Sequence, residues 1–119
     1  MKSKKVVLMV ESTKQSFDRA LSAMAKPSKK YAGMAIISFP DFETLGRVIT
    51  GARVELLSVI RAEKPSSIQE LARLVERDFK NVYQDVKLLA QFGLIDLKEQ
   101  GPRKSAAPVA KYSELVLAA

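Results

Sequence analysis

Hydrophobic positions change their period several times along this chain. "KVVLMV", residues 5 to 10, is a continuous apolar run rich in β-branched residues and predicts a strand. In "STKQSFDRALSAMAK", residues 12 to 26, Phe17, Leu21 and Met24 recur at helical spacing, and Ser12 and Gln15 stand as a capping box. Pro27 ends that helix, because it lacks an N–H and clashes with the preceding turn. After the basic loop "KPSKKYAG", "MAIISF" predicts a second strand, closed by Pro40.

From Asp41 to about residue 92 the period is helical. "DFETLGRVI" makes a short helix with Asp41 as cap, and Thr50 and Gly51 break it before "ARVELLSVIRAEK" resumes. There Val54, Leu57 and Ile60, widened by Leu56 and Val59, form the stripe expected to be buried, and Pro65 stops the helix. Ser67 and Glu70 form the capping box of "IQELARLV", whose Ile68, Leu71, Ala72 and Val75 are expected to face inward. Only "ERD" separates this helix from the one over residues 78–92, so the two must cross at a large angle, as in a helix-turn-helix. Gly93 is placed to end the latter in a left-handed conformation. "LIDLKE" and "VAKYSELVL" then alternate as two strands joined by the turn "QGPRKSAAP", a terminal hairpin.

The expected fold class is α+β: a β-α-β extension over residues 1–40 and a winged helix-turn-helix over 41–119. The extension carries eight basic residues against two acidic ones. Its two strands and one helix bury too little to stand alone, so it must pack on the rest of the chain or on a second copy. An exposed strand edge pairs readily with its two-fold mate, which makes the extension the expected site of homodimerisation.

In the helix over 78–92, a rise of 100° per residue gathers Phe79, Val82, Val86 and Leu89 on one side, extended by Leu88 and Phe92. That side is expected to be core, and Asp78 to cap the start. The opposite arc collects Lys80, Gln84, Lys87 and Gln91, flanked by Asn81 and Tyr83. Amides can bridge adenine N6 and N7, Lys reaches guanine or phosphate, and Tyr can hydrogen-bond a phosphate. This is what a recognition helix presents to a major groove, whereas an ordinary solvated face carries paired Glu and Lys. Asp85 lies toward the rim, where it is expected to pair with a neighbouring helix. On the hairpin, residues 98–111, Lys98, Arg103 and Lys104 make a basic wing suited to phosphates or a minor groove. Arg73 and Arg77 are either phosphate contacts or plain surface charge.

Composition narrows the chemistry. The 119 residues carry 20 Lys and Arg against 13 Asp and Glu, a net +7, which favours a polyanionic partner. There is no Cys and no His, which removes disulfides, thiolate or imidazole metal sites and every His- or Cys-driven proton transfer. "GPRKS" lacks the spacing of a phosphate-binding loop, so neither a catalytic site nor a cofactor is expected. Lys2, Lys4 and Lys5 precede an apolar run too short for a secretory signal, and no run suits a membrane span, so a cytoplasmic protein is expected.

"SIQELARLVERDFKNVYQDVKLLAQFGLIDL" resembles the MarR-related winged helix-turn-helix DNA-binding regulators of bacteria and archaea, particularly short members with a "KNVYRDVKxLxxxGLI"-like core. With "ISFPDFETLGRVITGARVELLSVIR" the resemblance covers roughly residues 36 to 117. Lys80, Asn81, Tyr83, Asp85 and Lys87 match the recognition-helix motif, while Gln84 stands where the group more often has Arg. The resemblance implies a transcriptional regulator that binds double-stranded DNA, and a repressor is the first reading taken from it. Some members look like antitoxins of the TumA type, which implies a cognate toxin as a further partner. A winged helix used only as a protein-interaction module is the remaining alternative.

Overall fold

The structure, a computed structural model, describes residues 4–26, 31–99 and 106–118. Among these residues it is an α+β arrangement of five helices and five strands. The chain divides into two units, Met1–Arg47 with Tyr112–Ala119, and Val48–Lys111. No helix of the described residues is long and apolar enough to cross a membrane.

The first unit is built on a parallel three-stranded sheet. β1 (Lys5–Val10) lies between β2 (Ala35–Phe39) and β5 (Glu114–Ala118). Val6, Val7 and Leu8 are all buried. Consecutive strand residues point to opposite faces, so this continuous apolar run marks a central strand covered on both sides. The crossover from β1 to β2 is α1 (Thr13–Ala25), which opens on the expected capping box: Gln15 N–H donates to Ser12 Oγ at 3.1 Å and Ser12 N–H to Gln15 Oε1 at 2.9 Å.

The stripe of α1 points outward. Phe17, Leu21 and Met24 are 63%, 49% and 83% exposed, and no residue of α1 is buried. The helix is held instead by its polar side. Arg19 Nη2 and Nε donate to Glu11 Oε1 at 2.8 and 3.0 Å, and Ser38 Oγ donates to the same oxygen at 2.6 Å. The Arg19 guanidinium holds the Glu11 carboxyl below its ordinary value, against the burial that would raise it, and Glu11 in turn raises Arg19. α2 (Phe42–Val48) is capped by Asp41, whose Oδ1 accepts the Thr44 N–H at 2.7 Å; the Thr44 side chain first, and this backbone bond second, lower the Asp41 pKa.

β5 departs from the expected hairpin. "VAKYSELVL" is not one strand: β4 (Ala107–Ala110) ends where Lys111 N–H donates to Leu94 O. Ser113 then donates from both N–H (2.7 Å) and Oγ (2.9 Å) to Lys4 O, which delivers β5 to β1 with Lys5 paired to Glu114 at 3.3 Å. Alternation reports that residues are extended and says nothing about which strand they pair with. The boundary expected after residue 40 therefore differs from the observed division, in which residues 41–47 and 112–118 go with the first unit.

The second unit packs α3 (Gly51–Glu63), α4 (Ile68–Leu74) and α5 (Phe79–Gln91) with β3 (Ile95–Lys98), which pairs antiparallel with β4 from Ile95↔Ala110 to Lys98↔Ala107. Its core is Leu56, Leu57, Ile60, Ile68, Leu71, Ala72, Val82, Val86, Leu89, Leu94 and Ile95. Val54 was expected in this core and is 45% exposed. The buried stripe of α3 centres on Leu56, Leu57 and Ile60, and Val54 falls more than a quarter-turn away from it. Thr50 Oγ1 caps α3 through the Arg53 N–H at 3.3 Å. Ser67 Oγ caps α4 through the Glu70 N–H at 3.0 Å, but the Glu70 carboxylate is engaged by Ser66 Oγ at 2.8 Å, not by the cap backbone as a full capping box requires.

The turn between α4 and α5 has Glu76 in the left-handed region, φ 54°. It lets Arg77 N–H reach back to Ala72 O at 3.0 Å and close the end of α4. Asp78 has the extended backbone of a cap, but its side chain makes no capping hydrogen bond, contrary to expectation. Gly93 ends the α5 segment at φ 84°, as its position predicted, with Leu94 N–H donating to Leu89 O at 2.9 Å.

Candidate nucleic-acid interface

Val82, Val86 and Leu89 are fully buried on one side of α5, so the helix is fixed rotationally and its other side must face away from the core. Lys80, Asn81, Gln84, Lys87 and Gln91 are exposed there. Among the described residues, the side chains of Lys80, Asn81 and Gln84 enter no hydrogen bond or ion pair. Amide and ammonium donors are thus displayed together over two successive turns.

Tyr83 is 41% exposed between two neighbours: its ring lies 5.8 Å from that of Phe79, inclined by 30°, and Lys87 Nζ stands 5.8 Å from its centroid. Phe79 was expected in the core and is 49% exposed. It begins α5 at the margin of the apolar side, beyond the last layer of core residues, so periodicity alone overstates its burial. A recess of about 320 Å³ opens beside this pair, bounded also by Ile68, Gln69 and Leu97.

Asp85 belongs to the same helix and does something different. Its Oδ1 accepts Arg53 Nε at 3.1 Å from α3, and its Oδ2 accepts Arg77 Nη2 at 2.8 Å from the preceding turn. Arg53 Nη1 also donates to Val48 O at 3.1 Å. Asp85 is only 13% exposed, and its pairing with a neighbouring helix is the one expected from its place on the rim. Arg77 is thereby committed to Asp85, which leaves the exposed Arg73 as the residue of that pair open to an external anion. Arg53 was not found from sequence: its partner lies 32 residues away, and no local spacing signals such a bond.

Lys98 is exposed at the end of β3, where the chain enters the segment 100–105. Arg103 and Lys104, expected at the wing tip, lie outside the described residues. Among the described residues no group of three or more His, Cys, Asp and Glu could hold a metal ion.

Residues 48–117 match a family model, HVO_A0114. No curated protein and no solved structure matches the chain.

Proposed function

The chain belongs to the HVO_A0114 family, and on that premise we propose that it is a non-catalytic, sequence-specific DNA-binding transcriptional repressor of the winged helix-turn-helix type. In this reading α4 and α5 are the helix-turn-helix, α5 is the recognition helix in the major groove, and β3 with β4 forms the wing. The observation that carries it is the exposed arc of Lys80, Asn81 and Gln84, unengaged among the described residues, with Lys87 beside Tyr83, on a helix whose opposite side is buried and whose rim is braced by Asp85. Surface helices kept only for solubility satisfy their charges in pairs; here the donors of α5 are left for a ligand rich in acceptors. The overall charge of +7 and the resemblance to MarR-related regulators point the same way.

The repressor acts as a homodimer in this reading. The outward stripe of α1 is an apolar surface that a two-fold mate would cover, the outer edge of β5 offers backbone groups for strand pairing, and a dimer doubles the half-site read by each α5. The same stripe favours one second reading, an antitoxin that covers a toxin with its first unit while α5 represses their operon.

Gel-shift against fragments of the source genome tests the proposal. A subset of fragments retained as salt rises is the expected result, because non-specific contacts weaken steeply with salt. No retained fragment even at low salt would leave only a protein-interaction module.

A further inference from the structure

We propose that Phe79 and Tyr83 form a contact surface for the 5-methyl group of thymine, an inference that rests on the DNA-binding reading and names a base that α5 recognises through carbon. Both rings lie between the buried side of α5 and its polar arc, one helical turn apart, and both are close to half exposed. The Phe79 ring leans on Tyr83 at 5.8 Å, and Tyr83 carries Lys87 at 5.8 Å on the next turn. The three side chains descend the helix as a ladder from apolar through amphipathic to cationic.

That order has a counterpart in a major groove. Thymine is the one base that presents a methyl group there, next to its O4 acceptor, and apolar side chains are its complement. Amides and ammonium groups account for the hydrogen-bonding edges but gain nothing from the methyl. Phosphates offer no apolar surface, so Phe79, set among Lys80, Gln84 and Lys87, gains nothing from the DNA backbone even where the Tyr83 hydroxyl reaches a phosphate. The recess of about 320 Å³ at the foot of the rings leaves space for a methyl group to approach their faces. The cations on either side favour a nucleic acid over an apolar peptide as the occupant, because two exposed ammonium groups would flank any bound segment.

The test uses the full chain and duplexes selected by it from a randomised library. In the selected sequence each thymine is replaced in turn by deoxyuridine, which removes the methyl and leaves every hydrogen-bonding group in place. At one thymine in each half-site the wild type should lose about fourfold or more in affinity, the value of one buried carbon group. Phe79→Ala should bind the thymine and deoxyuridine duplexes equally at that position, whereas Phe79→Leu, which keeps an apolar surface, should retain a preference. Phe79 is half exposed, so neither variant threatens folding. Equal affinity of the wild type for thymine and deoxyuridine at every position, with binding otherwise intact, would overturn the inference alone. A library from which the wild type retains no duplex at low salt would remove the DNA-binding reading and the inference together.

Discussion

Arg77 Nη2 reaches Asp85 Oδ2 at 2.8 Å and ties the turn before α5 to the middle of that helix. With Arg53 on the other oxygen, one carboxylate fixes α5 to both the turn and α3. Removing its charge costs Arg53 one of its partners, leaving the Val48 carbonyl, and costs Arg77 its ion pair on a guanidinium whose buried Nη1 already has no hydrogen-bond partner. Asp85→Asn should therefore destabilise the protein by about 2–4 kcal/mol, measured by urea unfolding. An unchanged midpoint would mean that the three-residue knot contributes nothing net.

Glu76 is a candidate for stabilisation. A side chain at φ 54° bears a steric cost that glycine does not, and the turn needs that conformation to close α4. Glu76→Gly should raise stability by about 0.5–1 kcal/mol, or at worst leave it level, in thermal unfolding. A clear loss would show that the Glu76 side chain makes a contribution larger than the backbone cost.

Acid should act first through Glu11. Its folded-state pKa is depressed below the ordinary 4.5 by Arg19, so its contribution is present above that value and is lost as pH falls through the lower folded-state pKa. The stability difference between the wild type and Glu11→Gln should be about 1.5–3 kcal/mol at neutral pH. It should shrink once pH drops below 4.5. A difference independent of pH would refute the ion pair as its source.

On DNA, amides and ammonium groups should separate by role. Asn81→Ala or Gln84→Ala should cost about 1–3 kcal/mol on the preferred duplex and relax one base position. Lys98→Ala should weaken all duplexes alike and lower the salt slope by about 1. Equal losses on preferred and random duplexes for all three would contradict the division.

Association should respond to α1. Met24 is 83% exposed, so Met24→Asp leaves the fold intact while placing a charge in the stripe. Sedimentation should find the wild type dimeric and the variant largely monomeric. Equal masses would remove α1 from the interface.

What could be read in the sequence was what local spacing determines. Ser12 with Gln15 and Gly93 after α5 found their expected places, because caps and left-handed stops involve groups three to five residues apart; of the break expected at Thr50 and Gly51, Thr50 is the cap of α3 and Gly51 its first residue. The buried row of Val82, Val86 and Leu89 was legible for the same reason. Misplaced residues sit at the ends or margins of otherwise correct patterns: Phe79 on the first turn of α5, Val54 off the stripe of α3. Contacts across long separations could not be assigned partners: Asp85 was expected to pair with a neighbouring helix, but nothing named Arg53, and the pairing of β5 with β1 left no trace. On the candidate interface, the exposed arc followed from helical angle, whereas the aromatic pair beside it emerged only once Phe79 was seen outside the core.

The pairing of Ser113 with Lys4 joins residues 109 positions apart. It makes the second unit an insertion between two parts of the first. During synthesis Val48–Lys111 leaves the ribosome as one uninterrupted stretch and can fold at once, while β1 waits with one neighbour still unmade. The donor-bearing helix is thus ready before the sheet is closed, and a nascent chain halted ahead of Glu114 would carry a finished second unit and, in the first, an open strand, the kind of edge that chaperones and proteases find.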